Sequence, residues 1–229
     1  MAVRVDSDVE QAVANSAGDS VSEANLPIGM HPPATMEASP FAIPSKKLVM
    51  WLFIISDAVT FAAILFAYGY LKNASPNWPH PFKFSPSIVN VMLMTFILVS
   101  SSFTMLIAVR ASRHGDKSGA LRWTFITVAG GVLFAVLHLQ EWTGLIAEGV
   151  RLFQNPWGNP MFGATFFAIT GLHLTHVLGG VIALTVVAIG YKRGRYQADD
   201  LEIWSLYWHF VDLVWMFVVP MVYLLNVAR

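Results

Sequence analysis

Five long apolar runs alternate with short polar connections between residues 48 and 227. The longest, MFGATFFAITGLHLTHVLGGVIALTVVAIGY at 161–191, holds 31 residues, two histidines and no charged residue. A helix rises about 1.5 Å per residue, so roughly 20 residues cross a hydrocarbon core of about 30 Å. Runs over 48–71, 88–111, 120–147, 161–191 and 203–227 therefore predict five membrane-spanning helices. The expected fold is an all-α, polytopic membrane protein built as a five-helix bundle. An odd number of spans puts the ends of the bundle domain, 46–229, on opposite sides. In the fourth run Phe166, Ile169, Thr170, His173, His176, Val177, Gly180 and Leu184 share one helical face. That face must turn toward protein, because lipid offers an imidazole N–H no partner.

Residues 1–45 break the pattern. Six acids (Asp6, Asp8, Glu10, Asp19, Glu23, Glu37) stand against Arg4, and five prolines punctuate the stretch. With little periodic apolar content it reads as a disordered acidic cytoplasmic tail, or as a partner-binding arm. No basic stretch followed by an apolar one opens the chain, so no cleavable signal peptide is expected.

Composition agrees with the spans. Hydrophobic residues make up 55% and charged residues 12% of the chain, against about 25% charged in soluble domains. A formal net charge of zero argues against a nucleic-acid partner. The absence of cysteine excludes disulfides, thiolate metal sites, iron–sulfur clusters and cysteine nucleophiles. Lys and Arg near the span ends divide ten to four: Arg4, Lys46, Lys47, Arg110, Arg113, Lys117, Arg122, Lys192, Arg193 and Arg195 against Lys72, Lys83, Arg151 and Arg229. The positive-inside rule then places the N-terminus in the cytoplasm and the C-terminus outside, in a bacterial inner membrane. Trp51, Trp78, Trp142, Trp157, Trp204 and Trp208 lie near span ends and suit an interfacial belt.

The ionisable residues inside the spans are the candidate chemistry. Asp57 follows Lys47 by ten residues, about 15 Å of helix, and Asp212 follows Trp204 by eight, about 12 Å. His176 and His173 lie about 22 and 27 Å from Tyr191, and tilt brings His176 closer to the depth of the two acids. One polar cluster is inferred in the middle-to-inner half: Asp57, His173, His176, His209 and Asp212. Intramembrane ionisable groups usually pair. Glu141 stands apart toward the outer face, with His138 one turn before it; it either meets His138 or reaches headgroup water beside Trp142.

Each group also has a plain structural reading. The histidines can donate to carbonyls or threonines on a neighbouring helix and lock the bundle. Asp57 is either a structural acid or a proton-exchanging one. Ser100, Ser101 and Ser102 satisfy their own backbone or allow close helix approach, and Gly130-Gly131 and Gly179-Gly180 read as packing surfaces. Histidines three apart with no nearby Cys or acid do not complete a metal site or a haem cage, and no H-E-x-x-H, G-x-S-x-G or phosphate loop occurs. No catalytic, cofactor-binding or metal residue is expected in this chain.

Three stretches carry a resemblance. FGATFFAITGLHLTHVLGG (162–180), EIWSLYWHFVDLVWMF (202–217) and LFIISDAVTFAAILFAYGY (52–70), with LQEW (139–142) as a weaker fourth, resemble subunit III of the haem–copper oxidases. The match spans nearly all of 48–227 and suits the short five-helix form, which lacks the first two helices of larger members. The family's acid in the first matching span is usually Glu, and here Asp57 is one methylene shorter. The resemblance implies a non-redox subunit of a terminal oxidase, cytochrome c oxidase foremost. It would pack on catalytic subunit I and other subunits, hold structural phospholipids and support proton uptake, with haem and copper in its partners. By match, Asp57, Glu141, His173, His176, Glu202, His209 and Asp212 are the site positions. Quinol oxidase and nitric oxide reductase subunits share these motifs. A free-standing proton channel or transporter is the rival of another class, although the chain shows no inverted repeat.

Overall fold

The computed structural model describes residues 44–228, so the tail expected over 1–45 lies, but for its last two residues, outside the described residues. Five long helices follow: α1 (Ser45–Ala74), α2 (Val89–Arg113), α3 (Lys117–Ala147), α4 (Pro160–Lys192) and α5 (Ala198–Val218). All five are long and apolar enough to cross a membrane, the last when its continuation to Asn226 is counted. The protein is a multi-pass membrane protein. Helices α1, α3, α4 and α5 start before their predicted runs, polar caps extending the last three, whereas α2 starts one residue later. Helix α5 ends at Val218, short of the predicted 227, where the chain passes into the turns Val219–Tyr223 and Leu224–Asn226.

Local chemistry sets those ends. The Asp116 side chain accepts from the Gly119 N–H and starts α3, with Gly115 at φ 78° making the tight link from α2. Asn159 caps α4, and Pro160 occupies a first-turn position where its missing N–H costs nothing. Gln197 and Asp200 form a reciprocal capping box at the start of α5. At the other end of α5, Pro220 lies in a wide π-type turn, Val219–Tyr223, which runs into a 3₁₀ turn at Leu224–Asn226.

Helices α2, α3, α4 and α5 form a closed four-membered ring, α2 on α3, α3 on α4, α4 on α5 and α5 on α2. Helix α1 stands outside the ring and leans on α5 and α4. Only Met50, Ile54, Phe61, Leu65 and Tyr68 of α1 are buried, a single stripe at helical spacing. The face predicted for α4 is the buried one, from Phe166 through Leu184; His176 alone among its eight residues is half-buried, because it looks toward α1.

Lipid tails are as apolar as leucine, so helices in a membrane associate by fit rather than by escape from water. Here the fit is tryptophan into glycine. Trp208 of α5 lies against Gly131 of α3 and Gly180 of α4: a Cβ on Gly131 would come within 2.5 Å of its ring, and one on Gly180 within 2.9 Å. Its indole N–H donates to Ser101 Oγ of α2 at 3.1 Å. Seven residues on, the Trp215 N–H donates to Thr95 Oγ1 of α2 at 3.0 Å. Trp208 and Trp78 are buried in the core, 1% and 8% exposed, and do not belong to the interfacial belt expected of them. Proximity to a span end gives depth in the membrane, not direction around the helix.

At the far end the C-terminal turn is tied back to the rest. Phe82 donates to the Asn226 carbonyl and accepts from the Ala228 N–H. The Asn226 side chain donates to Val222 O and Tyr68 Oη, and Lys72 Nζ donates to Leu225 O.

Gly131→Val should overpack this joint. It is expected to cost about 1–3 kcal/mol and to lower the thermal unfolding midpoint in detergent, whereas Gly144→Ala, where an added Cβ meets nothing within 4 Å, should leave the midpoint at or above that of the parent. Equal midpoints for Gly131→Val and the parent would show that the tryptophan slot does not hold the bundle.

Candidate functional site: two intramembrane polar groupings and a charged collar

The predicted positions divide among four places. Asp57 of α1 and His176 of α4 meet, with Oδ2 and Nε2 3.3 Å apart and each side chain almost one-fifth exposed. His176 Nδ1 lies 2.8 Å from Leu172 O. A carbonyl only accepts, so Nδ1 carries a hydrogen. Nε2 faces Asp57 Oδ2, which is buried and makes no hydrogen bond. Phe61 packs edge-on against the imidazole at 5.1 Å, and Tyr207 donates its O–H to the His176 carbonyl at 3.1 Å.

His173 is only three residues from His176, yet it faces elsewhere. Three residues turn a helix through about 300°, leaving the two side chains about 60° apart. His173 is fully buried in the ring, stacked on Trp215 at 4.9 Å and edge-on to Phe134 at 5.7 Å. His138 of α3 lies on the other side of the same two rings, parallel to Phe134 at 5.7 Å and edge-on to Trp215 at 5.6 Å. Its Nδ1 is 3.7 Å from Glu141 Oε2, which accepts the Tyr223 O–H at 3.0 Å. Of the two readings open for Glu141, the contact with His138 is therefore present. Neither ring nitrogen of His138 or His173 has a hydrogen-bond partner.

His209 and Asp212, one turn apart on α5, make no hydrogen bond to Asp57, His173 or His176. Asp212 faces Ser102 of α2, and both residues are half-buried. His209 Nε2 and Asp212 Oδ1 are buried without partners. These are polar groups inside the membrane that the bundle itself does not satisfy.

Glu202 sits at the end where α1 and α5 begin, between Lys47 of α1, at 2.9 Å, and Arg113 of α2. Lys46 pairs with Asp200 beside it at 2.9 Å. These ion pairs collar three helices at one membrane edge. Arg113 and Lys46 are well exposed, so water screens these pairs and they add little to stability.

Tyr223, Tyr207, Trp215 and Phe134 were not singled out from the sequence. Trp208, Trp215 and Tyr223 recur at intervals of seven and eight, a one-face helical spacing that marks them as a set. Haem or copper does not fit the donors present: no three His, Asp or Glu side chains converge as a metal site among the described residues, and two of the histidines are walled in by aromatic rings.

Comparison with known proteins agrees with this arrangement. A family model of cytochrome c oxidase subunit III matches residues 19–227. Quinol oxidase subunit 3 of Bacillus subtilis (strain 168) is 34% identical over 184 residues, which cover 79% of this chain and 87% of that protein. A probable cytochrome c oxidase subunit 3 of Nocardia farcinica is 35% identical over 180 residues, 75% of this chain and 83% of the relative. Cytochrome c oxidase subunit 3 of Bacillus sp. (strain PS3) is 31% identical over 187 residues, 80% and 87% of the two chains. The bundle, its tryptophan joint and its intramembrane polar residues are thus those of a chain that belongs to the cytochrome c oxidase subunit III family.

Proposed function

We propose that this chain serves aerobic respiration as the non-redox subunit III of a haem–copper terminal oxidase. It packs on the catalytic subunit, retains phospholipids at its lipid-facing grooves and supports proton uptake at the lysine-rich end, which lies in the cytoplasm of a bacterial inner membrane. Haem and copper belong to the partner subunits. The observation that carries the reading is the family match over residues 19–227. Asp212 on α5 is half-buried, and a second membrane-embedded subunit packed on that face would shield it from lipid. Quinol oxidation in place of cytochrome c oxidation is the second reading, favoured by the quinol oxidase subunit 3 among the relatives.

In this role the Asp57–His176 pair places two ionisable groups inside the membrane, about 15 Å along α1 from Lys47 of the collar. It tunes proton supply and makes no bond to oxygen or to the electron donor.

Purification in mild detergent tests the assignment: the chain should co-elute with a chain showing haem absorption, and whether that enzyme oxidises cytochrome c or a quinol separates the two readings. A chain that runs alone and conducts protons in liposomes would instead be a free-standing channel. Asp212→Ala is expected to lower retention of this chain in the complex, read as stoichiometry after detergent washing; unchanged stoichiometry removes Asp212 from the contact. Asp57→Asn keeps the side-chain shape and removes the site that accepts the proton. Assembly should survive while turnover falls at alkaline pH, where proton supply limits; equal turnover at every pH would show that Asp57 has no part in proton delivery.

A further inference from the structure

At the end where α1, α3 and α5 finish, the structure holds a cavity of about 660 Å³. Its walls come from the α1–α2 connection (His80, Lys83), the last turns of α3 (Gln140, Glu141, Glu148) and the C-terminal turn. Unlike the grooves between α1 and α5 and between α2 and α3, which are apolar, this one is lined by charged and amide side chains, so it suits water.

Glu141 lines this vestibule, yet its side chain is only 7% exposed. Oε2 is taken by the Tyr223 O–H, and His138 stands beside it. Oε1 is buried and has no partner within the protein. Buried carboxylate oxygens are costly to leave bare, and Glu141 borders the vestibule. On the inward side Phe134 and Trp215 form an aromatic wall against which both His138 and His173 pack.

We propose that Glu141 is a proton-exchanging carboxyl served by water from this vestibule and backed on its inward side by the aromatic wall. A proton passes from hydronium to Oε1, forming the O–H bond and leaving water, and returns by the same path. Tyr223 and His138 hold the carboxyl in place. The groups that face it are His138 and Glu148 from α3, Tyr223 from the C-terminal turn, and His80 and Lys83 from the α1–α2 connection; α4 presents only His173, packed on that wall. The inference concerns the end of the bundle opposite the lysine-rich collar and does not depend on the proton-uptake role assigned to Asp57.

Infrared difference spectroscopy on the intact complex, titrated between about pH 5 and about pH 9, tests it. A protonated-carboxyl C=O band should appear on acidification, shift in D2O, vanish in Glu141→Gln and persist in Glu148→Gln. Gly144 also lines the vestibule, at a point where an added Cβ meets nothing within 4 Å. Gly144→Phe should therefore narrow the water path and slow the D2O shift. If Glu141→Gln does not assemble, Glu141→Asp keeps the carboxyl, and the same band should move. A band untouched by either Glu141 variant, or an exchange rate unchanged by Gly144→Phe, would overturn the proposal.

Discussion

Large aromatic side chains of α5 set into glycine notches on α3 and α4 are the constraint on which the bundle depends. Between lipid-bathed helices the hydrophobic effect gives almost nothing, so dispersion and shape must hold them together. Gly131 and Gly180 let Trp208 enter where any Cβ would collide, and Ser101 and Thr95 on α2 take the N–H groups that the two tryptophans bring into the core. One helix therefore touches every member of the ring and also carries α1. The N–H groups of Trp208 and Trp215 are satisfied in this way, so these two anchors bring no orphaned donor into the core.

The same aromatic core organises the polar groups. Trp215 and Phe134 pack against both His138 and His173, whereas Asp57 and His176 meet on the side facing α1. Polar residues that would join as one cluster if only their depth mattered are held in separate surroundings: one dry and walled, one open toward α1, one turned to α2.

Electrostatics at the two ends differ in kind. Lys47, Glu202 and Arg113 are charged side chains in an aqueous layer, where the ion pairs fix helix order at modest strength. At the opposite end the ties are hydrogen bonds to backbone: Phe82 with Asn226 and Ala228, and Lys72 to the Leu225 carbonyl. That end also holds the vestibule and Glu141, whose side chain is 7% exposed.

By itself the sequence was enough for the number of spans, the membrane class, the buried face of α4 and the family, because each rests on information that runs along a single helix: length, period or motif. The approach of His138 to Glu141 was one of two readings that their one-turn spacing left open, and the structure sets the two 3.7 Å apart. Which histidine meets which partner was decided only by the tertiary structure. His173 and His176 differ by about 60° of rotation, and a rotation acquires meaning only when α1 is known to lie on one side and Trp215 on the other. Tyr223 and Glu141, 82 residues apart in the chain, meet because the turn at Pro220 carries the last residues back over the bundle. Depth in the membrane can be counted from the chain, whereas direction around a helix axis is set by the neighbours that pack against it.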